Sequence, residues 1–351
     1  MNKLEKRIGL LIAVLLLALT TIAGAEQAVE QVTLQAAKSV TAGEVNSLDE
    51  VQREKYAPRF WRIDAAEQQM LPINFRTTDD QVGSVDGIIP NTDGLKELKC
   101  SGSAQMSAGE MQVLVENLAA RTPGDVYIVD LRQEQHGYLD GNAASFYGKR
   151  NWGNIGKTRE EIIRAEKAAM EAMPGEKIAL YKLDKDKEPV KPAEMELTIE
   201  NAQTEEEVAA EAGARYYRIT STDHIWTVPE NIDRFISFYK TMPKDSWLHF
   251  HCEAGKGRTT TYMVIYDILR NGATVSLEDI TAREYRIGGI DLLNVKSANA
   301  LQTGKKQSWK TVFEQERAKN IKLFYQYVRA NPELTLSWSE WLQSHSMGKI
   351  K

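Results

Sequence analysis

From Trp247 to Thr260 the chain reads Trp-Leu-His-Phe-His251-Cys252-Glu253-Ala254-Gly255-Lys256-Gly257-Arg258-Thr259-Thr260. This stretch constrains the fold more than any other. A short β-favouring run ends at a cysteine, a loop with two glycines follows, and a helical pattern runs from Thr259 to Leu269. A curled loop that opens a helix turns successive N–H groups inward and cradles an anion. Glu253, Ala254, Gly255, Lys256 and Gly257 would line that cradle. Arg258 adds a planar fork able to hold two oxygens of one phosphate. The same positive field favours the thiolate of Cys252. A thiolate facing a bound phosphate is the arrangement for nucleophilic phosphoryl transfer. The bland alternative is a buried cysteine in a chance Cys-x5-Arg. The preceding strand, His251, the two glycines and Thr259 together argue against it.

A thiolate nucleophile needs an acid for the leaving oxygen. Asp223, in Thr222-Asp223-His224-Ile225-Trp226, follows a strand candidate and precedes a helix. That places it on a loop at the same sheet edge as Cys252. The competing reading is a turn or N-cap aspartate. His224 is a candidate substrate ligand.

Elsewhere, strand candidates alternate with helices. Val126–Asp130, Arg215–Ile219 and Trp247–His251 read as strands. Ser107–Arg121, Lys157–Met173, Pro229–Tyr239 and Ser308–Val328 read as helices, and Trp338 and Trp341 sit on a last one. Ser107 with Glu110 and Thr204 with Glu207 have capping-box spacing. The alternation implies an α/β core with a largely parallel sheet. Lys177–Tyr181 and Met195–Ile199 are β-like, with the charged turn Asp184-Lys185-Asp186-Lys187 between them. The formal net charge of −5 excludes a nucleic-acid coat but permits a local basic pocket. Two cysteines make no disulfide scaffold and no zinc spacing.

Residues 1–25 read as a signal peptide. Lys3, Lys6 and Arg7 precede an apolar run of about 13 residues, and Ala23-Gly24-Ala25 supplies a cleavage pattern. The run is short of the roughly 20 residues that span a bilayer. The expectation is an exported protein of the periplasm, cell surface or medium, with no membrane association after cleavage. Residues 26–54 read as an arm, a tether ending in a strand or irregular segment, and 55–345 as the catalytic domain. Export to an oxidising compartment leaves open a Cys100–Cys252 disulfide that would silence the nucleophile.

The loop resembles the His-Cys-x5-Arg-Ser/Thr signature of the protein-tyrosine-phosphatase superfamily. More of the chain resembles the bacterial cysteine phytases, which are protein-tyrosine-phosphatase-like inositol polyphosphatases. The likeness rests on Thr-Asp-His-Ile-Trp and on Asp130-Leu-Arg-Gln-Glu134-x-His136-Gly-Tyr138-Leu-Asp-Gly141. It extends to Trp61-Arg62-Ile-Asp64, Leu71-Pro-x-Asn-Phe-Arg76, Pro229–Phe235, Ile287-Gly-Gly289 and Ser308-Trp-Lys-Thr311. The resemblance implies a parallel sheet flanked by helices. It also implies a small β-barrel-like subdomain, built from the early arm and about 178–202. By the same resemblance Cys252 is the nucleophile and Arg258 the phosphate ligand. Asp223 is the acid, Thr259 assists thiolate departure, and His251 organises the loop. Arg62, Lys187 and Lys310 would contact substrate phosphates, with no metal and no cofactor.

The resemblance implies stepwise hydrolysis of myo-inositol hexakisphosphate and of lower inositol phosphates. The alternative is a protein-tyrosine or phosphoinositide phosphatase. A retired binding module would have lost Cys252, Asp223 or Arg258, and all three are present. Three departures stand out. Asn151 stands where relatives have aspartate, Asp186 where some have histidine, and Thr227, after Trp226, where several have proline. The segment from Asp291 to Lys306 matches poorly.

Overall fold

The computed structural model describes residues 42–84, 87–295 and 308–347. The expected signal peptide, arm residues 26–41 and most of the segment from Asp291 to Lys306 lie outside these. In chain order the elements are α1 (Ala42–Asn46), α2 (Glu50–Glu54), β1 (Phe60–Ala65), β2 (Arg76–Thr77), β3 (Cys100–Ser103), α3 (Ala108–Ala119), β4 (Val126–Asp130), β5 (His136–Leu139) and β6 (Asn142–Tyr147). There follow α4 (Arg159–Glu171), β7 (Lys177–Tyr181), β8 (Met195–Thr198), β9 (Ala202–Gln203), α5 (Glu205–Glu211), β10 (Arg215–Arg218) and α6 (Pro229–Thr241). The chain continues with β11 (Trp247–His251), α7 (Gly257–Asn271), α8 (Leu277–Arg286), α9 (Thr311–Ala330) and α10 (Trp338–Met347).

The described strands form two sheets. The first has the order β10-β4-β11-β3-β2, parallel except for the edge strand β2. Side chains alternate across it as a pleated sheet requires. Val126 and Ile128 of β4 face the core packed by Met111, Leu114 and Val208 of α3 and α5. Val129 of β4 and Leu248 and Phe250 of β11 face the other core, beside Tyr262, Val264 and Ile268 of α7. Helix α7 is buried from Arg258 to Leu269, as befits a helix covered on all sides. The capping boxes at Ser107 and Thr204 form, each with its glutamate reaching back to the cap N–H.

The second sheet has the order β8-β7-β1-β6-β5-β9 and is an open ladder, antiparallel except where β1 meets β7. Here the structure differs from the expected composition of the small β subdomain. Arm residues 42–54 form the short helices α1 and α2, not a strand. Asp49 caps α2 through its side chain and Gln52 returns the bond, a local preference that competes with extension. The sheet takes β1 and the β5–β6 hairpin, alongside the strands between 177 and 203.

In the first sheet His251 pairs with Asp130 and with Ser103, and Arg218 pairs with Asp130. The carboxyl ends of four parallel strands therefore lie level. The loops after β11, β4 and β10 leave this one edge, where open α/β sheets hold their ligands. The same register answers the disulfide question. Cys100 pairs with Leu248, four residues before Cys252. That offset is about 13 Å along the strand, beyond the roughly 7 Å limit for a disulfide. Both cysteines are free.

Candidate active site

Cys252 follows the last residue of β11 and Arg258 lies in the first turn of α7. Between them the backbone must turn sharply against β3. Gly255 has φ +68°, and a Cβ there would fall 2.4 Å from the backbone of Ser103 and Ala104, so only glycine fits. Arg76, fully buried, holds the loop from behind by donating to the Gly255 carbonyl (2.8 Å) and to Thr260 Oγ1 (3.2 Å). Among the described residues no side chain caps α7, so its first-turn N–H groups remain for an anion. Thr259 Oγ1 donates to Cys252 Sγ at 3.2 Å.

The end of the Arg258 fork is already engaged. Nη1 and Nη2 donate to the two oxygens of Glu134 at 2.7 and 2.8 Å, and Nη1 also reaches the carbonyls of Leu131 and Ser221. One Nη2 hydrogen and Nε–H remain on the adjacent edge. The side edge, not the end of the fork, is what Arg258 has left to offer an anion. Nε lies 3.3 Å from Asp223 Oδ1 but is not aligned for a hydrogen bond. Burial pushes Glu134 up, yet Arg258 and Arg132 hold it well below the usual carboxylate range.

Asp223 sits on the loop after β10. Its Oδ2 accepts from Asn151 Nδ2 (2.9 Å) and its Oδ1 from the backbone of His224 (2.9 Å). The Trp152 indole N–H donates to its carbonyl at 2.9 Å. Burial raises its pKa, but Arg258 and then His224 bring it below the ordinary value. A phosphate on Arg258 would offset that cation and let Asp223 hold its proton. His224 has φ +71° and lies edge-on to Trp309 at 5.1 Å. Burial, reinforced by Lys310 and Arg258, lowers it to about 4, so it is a neutral imidazole near pH 7. Thr227 bonds to Ser221, Asn231 and Tyr262 across the base of this loop.

The second sheet supplies the opposite wall. Arg62 of β1 is buried, donates to Asp64 Oδ1 (2.6 Å) and Asn151 Oδ1 (3.2 Å), and among the described residues leaves Nη2 without a partner. It lies 3.7 Å from Glu253. Lys187 stands exposed in the turn between β7 and β8 with φ +67°. Lys310, at the N-terminus of α9, lies near the Trp309 ring. Lys256 directs its amine to the Gly288 carbonyl at 3.2 Å. Ala254 is exposed, its carbonyl accepting from Asn74. These walls enclose a cavity of about 920 Å³. Among the described residues it is lined by nine lysines and arginines and five carboxylates, which places a positive basin on a net-negative chain.

His251 lies beneath the loop, fully buried, with Nε2 2.8 Å from Glu205. Asp130, Glu205 and His251 bring ligand atoms within 4.8 Å of one another. His136 and Arg218 already occupy this cluster, at 2.9 Å from Glu205 and 3.1 Å from Asp130 respectively. Burial would lower His136, but Asp130 and Glu166 raise it to about 10. The group is a charge-balanced girder under the site.

The family model of PTP-like phytases, described by inositol hexakisphosphate, matches residues 129–270. The solved structure of a PTP-like phytase from Bdellovibrio bacteriovorus is 30% identical with a TM-score of 0.64, and the match covers 82% of this chain and 96% of that one. The chain belongs to the PTP-like phytase family. A PTP-like myo-inositol phosphatase from Mitsuokella multacida, solved with myo-inositol-(1,3,4,5)-tetrakisphosphate, is 39% identical with a TM-score of 0.74 over 82% of this chain. The effector protein hopD2 of Pseudomonas syringae is 31% identical over 273 residues, 76% of this chain. The chain spans about half the length of these last two relatives, 49% and 56%.

Within this family member, sequence reasoning left four groups without a role. Glu134 grips Arg258, and Arg76 braces Gly255. Arg317, buried on α9, donates to the His224 carbonyl at 2.9 Å. Trp309 packs against His224 and under Arg150. Glu134 had a signal: it follows the strand candidate Val126–Asp130, next to the strand that ends at Cys252.

Proposed function

We propose that this chain is an exported, cysteine-dependent phosphatase. It removes phosphates stepwise from myo-inositol hexakisphosphate and lower inositol phosphates. The reading is carried by one observation: Cys252, with Thr259 on its sulfur and Arg258 beside it, opens onto a broad basic cavity of about 920 Å³. A compact ring bearing many phosphates needs cations from several directions. Here they come from β1, the β7–β8 turn, the Cys252 loop and α9.

In the first step the Cys252 thiolate attacks phosphorus. An S–P bond forms as the ester P–O bond breaks, and Asp223 gives its proton to the leaving oxygen. In the second step water attacks the phosphocysteine and gives its proton to the Asp223 carboxylate. The P–S bond breaks, the thiolate departs with the Thr259 hydroxyl donating to it, and phosphate is released. Arg258 holds the phosphoryl oxygens by its free edge, and the α7 N-terminus complements their charge. Arg62, Lys187, Lys310 and the neutral His224 hold the rest of the substrate. Signal cleavage at Ala25 would place the enzyme outside the cytoplasm. Among the described residues no helix is long and apolar enough to cross a membrane.

One observation favours a second reading, a phosphatase of phosphotyrosine or phosphoinositides: the likeness to a protein named an effector. Phosphate release from phytate and from a phosphotyrosine peptide, with reductant and chelator present, separates the two. We expect release from phytate, and a loss of about 10⁴-fold or more in Cys252→Ser with substrate binding retained. Preference for the peptide would favour the second reading, and an active serine variant would remove the covalent mechanism.

A further inference from the structure

The turn after β6 is strained at the site. Arg150 and Asn151 both have positive φ, 65° and 61°. The left-handed region is costly for side chains other than glycine, and asparagine tolerates it better than most. The strain places the Asn151 amide, 6% exposed, between two charged groups. Its Oδ1 accepts from Arg62 Nη1 at 3.2 Å and its Nδ2 donates to Asp223 Oδ2 at 2.9 Å. The amide has one possible orientation, because a flip would set donor against donor at Arg62 and acceptor against acceptor at Asp223.

We propose that Asn151 is a positioning residue: it ties the phosphate-binding Arg62 to the acid Asp223 and fixes Oδ1 as the oxygen that delivers the proton. This rests on the phosphatase reading above. Oδ2 is held by the amide, with His224 Nε2 3.3 Å from it; Oδ1 accepts from the His224 backbone N–H and is the oxygen facing Arg258 Nε. A phosphate on the free edge of Arg258 puts its ester oxygen beside Oδ1. Arg62 lines the cavity, so a second substrate phosphate there would engage the same guanidinium that holds Asn151. Occupancy of the wall is thereby linked to the placement of the acid. In the chemical step the Oδ1 proton passes to the ester oxygen as the P–O bond breaks, leaving a carboxylate that the Asn151 N–H stabilises.

Two substitutions keep the left-handed backbone, Asn151→Asp and Asn151→Gly. Asp223 is faced by Arg258 from α7, Glu134 from the loop after β4, His224 from its own loop and Arg317 from α9, with Lys310 beside His224. Neither substitution touches these groups. Asn151→Asp sets a second carboxyl against Asp223, so the pair holds a proton to higher pH. The alkaline limb of kcat for inositol phosphates should move up by about one pH unit. Asn151→Gly should lower kcat about tenfold on inositol phosphates while p-nitrophenyl phosphate, whose leaving group needs no acid, changes less than about twofold. An unmoved limb in Asn151→Asp, or equal losses on both substrates in Asn151→Gly, would overturn the proposal. Asp223→Asn separates the two levels of inference. Equal losses on both substrates in that variant would remove the acid assignment and this proposal with it. A leaving-group-selective loss there, beside wild-type behaviour of both Asn151 variants, would remove the Asn151 role alone.

Discussion

On the floor of the pocket Arg258 is 4% exposed and gives both terminal nitrogens to Glu134. On the outer wall Lys187 stands in an exposed turn with no ion-pair partner among the described residues. Its neighbours Arg59 and Lys182 are paired with Glu188 and Glu194, but all four side chains are about half exposed. The floor is fixed before substrate arrives, because buried charges must be paired and aligned. The wall is solvated, and its charges are free to adapt. Preorganisation of this kind lowers a chemical barrier, whereas solvated charges contribute affinity and steering that salt screens. One pocket thus separates the chemistry from the ranking of substrates.

The sharpest way to break that division is Glu134→Gln. The amide presents a donor to Arg258 and removes its hydrogen-bonded charge partner, leaving Asp223, 3.3 Å from Nε, as the carboxylate beside the buried guanidinium. Breaking a buried pair in this way costs about 3–5 kcal/mol, a fall in Tm of roughly 10 °C for a domain of this size. kcat/KM should fall about 10²-fold as the free edge of Arg258 loses its aim. The acid limb of stability gives a second check. Glu134 is held below its unfolded value of 4.5, so its stabilising contribution is present above that pH and is lost as pH falls. The variant should lose that part of the slope. A variant as stable and active as the parent would show that the floor is no more preorganised than the wall.

Beneath the floor, Glu284 is buried with both oxygens unpartnered among the described residues. Burial, and then Asp267, push it up to about 8. The sign is opposite to that of Glu134. The folded state holds a proton that the unfolded chain releases near 4.5, so stability falls as pH rises from about 4.5 to 8. Glu284→Gln keeps the shape and removes the titration. It should match the parent at pH 5 within about 1 kcal/mol and exceed it by roughly 1–3 kcal/mol at pH 8. Chemical denaturation at the two pH values measures this. Equal stability at both would place Glu284 outside the charge balance that fixes the floor.

What could be read in advance follows the same division. The Cys252 loop was legible because its parts are neighbours in sequence, although the backbone of Ser103 and Ala104 that excludes a side chain at Gly255 lies far along the chain. Asp223 was legible as a loop residue after a strand. Glu134 and Arg76 act through contacts 124 and 179 residues away, which only the strand order and register bring together. β3 was hidden because Cys100-Ser-Gly-Ser103 is buried yet has no apolar run. The β5–β6 hairpin carried a signal in Asp140-Gly141, a favoured hairpin pair, with φ of 48° and 81°. The short helices of the arm were missed because the cap at Asp49 matters more there than hydrophobic period. Asn151 was visible only as a departure, and its two partners lie on different elements.

The smallest effect tests the wall itself. Lys187→Gln removes the charge and shortens the side chain by one atom, with the backbone still at φ +67°. An exposed charge of this kind contributes about 0.2–1 kcal/mol, or roughly a 1.5- to 5-fold rise in KM for inositol phosphates at low salt. kcat should not change, because Lys187 holds no group that reacts. The rise should vanish toward 1 M salt, where the Debye length is about 3 Å. A singly phosphorylated aryl substrate should be indifferent to the substitution, since its one phosphate is taken by Arg258. A tenfold fall in kcat, or a KM effect that survives high salt, would mean that Lys187 is drawn into a desolvated contact when substrate binds. The wall would then belong to the preorganised machinery, and the line between it and the floor would have to be redrawn at the turn between β7 and β8.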